Sequence, residues 1–270
     1  MGPYSLSCAS RQGGPFGGDD INSESRSELD VSGRQASFAV GVMWEAIAER
    51  LWLGASYQAS PGITDLTMHG TLTNISGPDT RKDDVDFHES LPDIIRVGAR
   101  YRPRPQIEVR LFGDYTRWSK LTEQCITLKD RPCGINNDGT AAPGTGTVVD
   151  VYRGWRDTFG VRAGASYWAK PRVELFAGLG FERSAIPDNT LDPALPDADT
   201  IAPVLGGRFE IFEKLYLAAS YTHIQYLNRD NSGKSVLDDA AVAPTTRRVD
   251  GGGKYTAWIG VLNVNLEKQF

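Results

Sequence analysis

The feature that most constrains this chain is an alternation of apolar and polar residues that returns along most of its length. One example runs from Ile107 to Thr116, and another from Val173 to Glu182. Successive side chains of a β-strand point to opposite faces, whereas a helix repeats every 3.6 residues, so this pattern predicts half-buried strands. We predict nine strands, at residues 37–47, 51–60, 90–103, 106–118, 155–169, 172–187, 200–212, 215–228 and 254–270.

The connections between these strands alternate strictly between short and long. Short links lie near 48–50, 103–105, 170–171 and 213–214, and long polar links at 61–89, 119–154, 188–199 and 229–253. In an up-and-down antiparallel sheet, every short turn then lies at one end and every long loop at the other. This layout is typical of outer-membrane barrels. The predicted fold is therefore all-β, an antiparallel up-and-down transmembrane β-barrel.

Composition agrees with this fold and excludes other classes. The mean hydropathy of −0.34 and the lack of a long apolar run exclude a membrane-spanning helix, while alternating barrel strands have the same modest average. A net charge of −5 argues against a nucleic-acid partner. Residues 1–35 are polar and lack the apolar stretch of a secretory signal, which predicts a flexible segment before barrel strands at 36–270.

The polar face of the predicted strands mixes charges of both signs with large apolar side chains. A wide aqueous pore has little use for such groups, so we interpret them as substrate-binding residues for an apolar ligand. The alternative is that they simply fill a narrow barrel. The candidates are Met43, Trp52, Phe112, Phe176 and Phe212.

The sequence contains few residues in patterns that indicate disulfide, metal or catalytic chemistry. Cys125 and Cys133, eight positions apart in a loop, are a candidate disulfide, the alternative being two free thiols. The three histidines lack metal-ligand spacing, and no nucleophile elbow or phosphate loop occurs, so we expect no cofactor, no metal and no enzyme. A lipid hydrolase would need a serine and a base together, and strand parity separates Ser220 from His223. The acidic run 83–86 is interpreted as a solvated surface, with cation or lipopolysaccharide bridging as the alternative.

Three segments resemble the FadL/TodX-type outer-membrane transporters of long-chain fatty acids and other hydrocarbons. They are LPDIIRVGARY at 91–101, WRDTFGVRAGASY at 155–167 and PDNTLDPALPDAD at 187–199. The resemblance implies a bacterial outer-membrane location and passage of hydrophobic small molecules, such as long-chain fatty acids, through the barrel lumen. It also implies contact with outer-membrane lipid and lipopolysaccharide. Phe270 resembles the C-terminal aromatic signal that the barrel-assembly machinery reads.

The resemblance is to the C-terminal portion of the family pattern. Family members carry a signal peptide, an N-terminal plug and about fourteen strands, against the nine predicted here. No plug or gating residue can be carried over. A structural barrel remnant without transport is therefore the second hypothesis.

Overall fold

The structure is a computed structural model that describes residues 8–11, 24–61, 66–76, 79–134, 142–235 and 251–268. In this part of the chain no helix is long and apolar enough to cross a membrane. Strands make up nearly all of the regular structure. They are β1 Cys8–Arg11, β2 Glu24–Ser32, β3 Ala39–Ile47, β4 Leu51–Gln58, β5 Leu66–Ser76, β6 Asp79–Glu89, β7 Ile94–Arg104, β8 Ile107–Thr116, β9 Glu123–Leu128, β10 Thr147–Tyr152, β11 Thr158–Lys170, β12 Val173–Glu182, β13 Thr200–Phe212, β14 Leu215–Asp230 and β15 Lys254–Lys268.

The nine predicted strands form one antiparallel sheet in the order β15-β14-β13-β12-β11-β8-β7-β4-β3. Each strand pairs with its predicted neighbours, which confirms the up-and-down topology. Strand limits differ from the predicted ones by at most five residues, at the end of β12, where 187 was predicted and 182 is observed. β3 and β15 form the two edges, each with one neighbour in this sheet. The sheet is thus open rather than closed into a ring.

All four tight turns lie at one end of this sheet, which we call the turn end, and the long connections lie at the other, the loop end. Each tight turn is accompanied by a shift in strand register. The shifts fall between Glu45 and Ile47, Tyr101 and Arg104, Trp168 and Lys170, and Glu210 and Phe212. Such β-bulges change which face a side chain joins, so simple alternation fails next to the turns.

One face of the sheet, the outer face, is apolar and has no protein cover in the described residues. A rung of directly opposed residues across seven strands shows its character: Trp44, Leu53, Ala99, Leu111, Ala163, Leu179 and Pro203. Leu205 and Leu262 are 68% and 71% exposed. So large an exposed apolar surface fits contact with acyl chains. At its turn-end margin, Lys268 reaches the backbone carbonyl of Glu213 at 3.1 Å, so its charge lies at the edge of this surface.

A second antiparallel sheet has the order β1-β2-β5-β6-β9-β10. It corrects the expectation of a flexible segment at 1–35, because Glu24–Ser32 is a strand, and it shows that two of the long connections contain hairpins. These strands escaped the sequence pattern because several are polar on both faces. β6, for instance, begins with six consecutive polar residues. Cys125 lies in this sheet, fully buried, and is joined to Cys133 by a disulfide with Cα atoms 6.3 Å apart.

Candidate functional site

The face opposite the apolar one, the inner face, carries the candidate site. One of its rungs contains Met43, Gly54, Gly98, Phe112, Arg162, Gly180 and Ala202. The glycines allow aromatic rings to lie against the backbone. A Cβ on Gly98 would meet Phe112 at 3.6 Å, and one on Gly206 would lie 2.5 Å from the ring of Phe176. The inner face therefore alternates flat aromatic patches with charged rows.

Nearest the turn end of the inner face, one carboxylate forms ion pairs with three arginines. Glu108 is fully buried, and its oxygens lie 2.6 Å from Arg100, 2.8 Å from Arg102 and 2.5 Å from Arg110. These side chains come from two adjacent strands, β7 and β8, as the sequence parity predicted for most of them. Three positive charges against one negative charge leave this cluster with a net charge of about +2.

Nearer the loop end, one arginine is held by two carboxylates. Arg162 contacts Asp114 at 2.5 Å and Glu182 at 3.1 Å, which leaves this group with a net charge of about −1. Its guanidinium also lies 5.7 Å from the ring centre of Phe112. In the same way, Arg100 lies 4.8 Å from the ring centre of Trp52. The rings of Trp52 and Phe112 are therefore each contacted by an arginine of a neighbouring charged row.

Three concave spaces follow one another along the inner face and share lining residues. The first, about 670 Å³ in volume, is lined by Met43, Trp52 and Phe112 among others. The second, about 510 Å³, shares Arg110 and Phe112 with the first and adds Phe176. The third, about 500 Å³, lies beneath the loop 183–199 at the loop end. It shares Glu182, Thr200 and Ile224 with the second, so the three spaces form a connected series.

Four of the five predicted substrate-binding residues line this series, and one does not. Met43, Trp52, Phe112 and Phe176 lie on the inner face, Met43 with 79% exposure because β3 is an edge strand. Phe212 does not join them. The bulge in β13 places it opposite Leu215, a neighbour of Lys268 at the turn-end rim, and it is 71% exposed there. Phe270 lies outside the described residues.

The sequence pattern missed the side chains that form the third space. Trp118 and Trp155 meet edge to face with ring centres 4.9 Å apart, and Tyr226 and Ile186 complete an apolar lining. The sequence analysis placed the two tryptophans at the ends of predicted strands 106–118 and 155–169. The observed strands end at Thr116 and begin at Thr158, so both tryptophans lie in the connection between them, where alternation does not apply. Trp155 is, however, the first residue of the segment 155–167, one of the three that resemble the family, and this resemblance was a sequence signal that could have identified it.

The structure keeps the hydrolase candidates apart. Ser220 is opposite Gly206 and Asn263, on the inner face. The ring of His223 instead stacks on Trp258, which is 65% exposed, with ring centres 5.5 Å apart. The acidic run is also engaged within the protein: Asp83 pairs with Arg81, and Asp86 pairs with His69 at 2.6 Å. Ser220 and His223 therefore do not form a nucleophile and base pair.

Comparison with known proteins gives consistent matches. Residues 13–267 match the model of the family described as "Outer membrane protein transport protein (OMPP1/FadL/TodX)". A relative from Neisseria meningitidis serogroup B, outer membrane protein NMB0088 by name, is 24% identical over 189 residues, which are 68% of this chain and 38% of that protein.

Solved structures show the same fold. A Pseudomonas aeruginosa FadL homologue superposes with a TM-score of 0.65 at 16% identity, covering 93% of this chain and 56% of its own. The Ralstonia pickettii toluene transporter TbuX superposes with a TM-score of 0.52 at 14% identity, covering 91% of this chain and 51% of its own. The P. putida toluene transporter TodX superposes with a TM-score of 0.51 at 15% identity, covering 92% of this chain and 54% of its own. The chain thus spans about half the length of these structures. The matched span, the barrel strands and the apolar outer face together establish that this chain is an outer-membrane protein of the OMPP1/FadL/TodX family.

Proposed function

We propose that the protein carries hydrophobic small molecules across the bacterial outer membrane along the inner face of the nine-stranded sheet. The observation that supports this most is the connected series of three concave spaces, from the loop 183–199 to Trp52 near the turn end. Each space offers apolar side chains from which a ligand displaces water. A solute can therefore move from one patch to the next without leaving the inner face.

We propose further that the substrates include long-chain fatty acids. Charge along the inner face changes from about zero around Arg162, where Arg96 also lies opposite Asp114, to about +2 around Glu108, so a carboxylate is attracted toward the turn end. The apolar tail would lie on Phe112 and Trp52 beside this cluster. A neutral aromatic hydrocarbon, the substrate named for the TodX and TbuX structures, would use the same rings but could form no ion pair with the arginines.

The proposal includes no chemical step. The placement of Ser220 and His223 on opposite faces supports this part of the proposal. Insertion by the barrel-assembly machinery is part of the same proposal and rests on the alternating strand β15 that precedes Phe270.

The test is uptake of radiolabelled oleate and of toluene by cells that produce the protein. Phe112→Gln places a polar amide between the first and second spaces, and we expect oleate uptake to fall roughly tenfold, since a buried phenyl contributes about 1.5–3 kcal/mol of apolar transfer. Phe212→Gln is the matched control, because it makes the same change at the turn-end rim, and its uptake should equal that of the wild type.

Several outcomes separate the hypotheses. Equal loss in both variants would remove the inner-face assignment. Uptake of toluene but not oleate by the wild type would keep transport and refute the fatty-acid class. No uptake of either compound by a correctly inserted protein would favour a structural barrel element.

A further inference from the structure

A fourth concave space, of about 630 Å³, lies at the loop end and differs from the other three in being lined mainly by polar groups. Four cationic side chains line it, Arg156, Arg183, Arg229 and Lys234, against two carboxylates, Asp188 and Asp199. The lining therefore has a net charge of about +2. We call it the cationic pocket.

The pocket has a rigid frame built around Arg229. Its guanidinium donates to Asp188 at 2.9 Å, to the hydroxyl of Ser184 at 3.1 Å and to the backbone carbonyl of Ile186 at 2.6 Å. Ile186 itself is 5% exposed. Beneath it, Asn231 is fully buried and donates to the carbonyl of Asp188 at 2.9 Å. These bonds fix the loop 183–199 onto β14.

Two of the four cations are spare. Arg229 and Lys234 both pair with Asp188, whose pKa is held below its usual value first by the hydrogen bond from Lys234 and then by Arg229. No carboxylate of the described residues lies within ion-pair distance of the Arg156 or Arg183 side chains, which are exposed. Two unpaired guanidiniums beside a paired frame form a suitable receptor for a dianion.

The position of the pocket identifies the source of that anion. Its residues lie just beyond the loop ends of the strands, and Arg183, Ile186 and Ala198 also line the third space. The backbone amide of Arg183 donates to the carbonyl of Phe159, whose ring lies 5.9 Å from that of Phe181, and both rings belong to the outer face. Leu227 likewise bonds to Asp199 of the pocket. Acyl chains that cover Phe159 and Phe181 would therefore place the headgroup of their lipid at Arg156 and Arg183.

We infer that the cationic pocket binds the phosphate groups of an outer-leaflet lipid, that is, of lipopolysaccharide. Arginine forks match phosphate oxygens in a two-point geometry, and apolar contact below the pocket adds the acyl chains. The inference needs only the outer-membrane location and does not depend on the proposed transport.

The experiment measures ligand binding to the detergent-solubilised protein by native mass spectrometry. Three ligands are compared: purified lipopolysaccharide, the same lipid after removal of its phosphates, and inorganic phosphate. We expect Arg156→Gln combined with Arg183→Gln to weaken lipopolysaccharide binding roughly tenfold or more, and dephosphorylation to weaken wild-type binding equally. Arg104→Gln, the same change on an exposed residue at the turn end, should leave binding unaltered.

Two further arms make the result decisive. Arg156→Lys with Arg183→Lys keeps both charges but loses the two-point hydrogen bonds, so its lipopolysaccharide binding should lie between that of the wild type and that of the glutamine double variant, which distinguishes charge loss from misfolding. Arg156→Gln alone changes a side chain that lines the cationic pocket but none of the other three spaces, so oleate uptake should be unchanged in that variant. Equal lipopolysaccharide binding by wild type and double variant would overturn the inference. So would a pocket that binds inorganic phosphate as tightly as it binds the lipid, since the site would then serve a free anion.

Discussion

Replacing Glu108 by glutamine tests whether the inner face is held together by its charges. The carboxylate is fully buried and accepts charged hydrogen bonds from three arginines, at 2.6 Å, 2.8 Å and 2.7 Å. Removing one partner of a buried ion pair commonly costs about 3–5 kcal/mol. Here the arginine side chains are 45%, 33% and 57% exposed, so they regain hydration when the charge is removed. We therefore expect Glu108→Gln to lower the free energy of unfolding by about 2–3 kcal/mol.

The assay is urea unfolding in lipid vesicles, followed by tryptophan fluorescence. Glu182→Gln is the control, because the Glu182 side chain is 57% exposed and its one ion pair within the described residues is with Arg162, itself 46% exposed. A solvent-exposed pair of this kind contributes at most about 1 kcal/mol. If the two variants were equally destabilised, or if Glu108→Gln were neutral, the buried cluster would not hold β7 and β8 as described.

Two other predictions follow from local geometry. Gly206→Ala would place its Cβ 2.5 Å from the ring of Phe176, so we expect the free energy of unfolding to fall by about 1–3 kcal/mol in the same assay. In the control Gly54→Ala, the new Cβ meets nothing nearer than 3.7 Å, and the free energy of unfolding should change by under about 0.5 kcal/mol. The lowered pKa of Asp188, due first to Lys234, stabilises the loop above the unfolded value of about 3.9, and this contribution is lost as pH falls below it. Hydrogen exchange of residues 183–199, corrected for intrinsic rates, should therefore show less protection at about pH 3 than at pH 6, and Asp188→Asn should abolish the difference.

Much of the nine-stranded sheet could be predicted because the membrane imposes a strict pattern on it. Each outer-face position must be apolar, so alternation is nearly unbroken from Ile107 to Tyr115 and fixes both the strand and its register. The four tight turns are short enough that neighbouring strands in sequence must also be neighbours in the sheet. Two physical constraints therefore determined the topology.

The same reasoning failed where the chain leaves the membrane constraint. Phe212 has inner-face parity when counted along β13, but the bulge beside the turn moves it opposite Leu215. Parity is reliable only up to the residue before such a shift, as for Met43, which precedes the shift after Glu45. The second sheet was missed because some of its strands carry polar residues on both faces and show no alternation, as the six polar residues that open β6 illustrate.

The loop-end frame was beyond prediction for another reason. Arg229 binds partners 32 to 45 residues away, through backbone carbonyls as well as side chains. Backbone acceptors leave no trace in a sequence, because every residue has one. The segment 187–199 carried a family resemblance, but its anchoring on β14 emerges only from the folded chain.

The alternation of charged rows and aromatic patches on the inner face has a consequence for transport. A continuous apolar lining would hold a long hydrocarbon along its whole length, and release would then cost about 0.8 kcal/mol for each buried methylene. Charged rows around Glu108 and Arg162 interrupt that lining, so in the proposed transport the patches at Trp52, Phe112 and Phe176 would each contact only part of a tail. Conduction requires sites that are favourable enough to enter and weak enough to leave. Replacing the charges by apolar residues would therefore strengthen binding and slow passage, even if the fold were preserved.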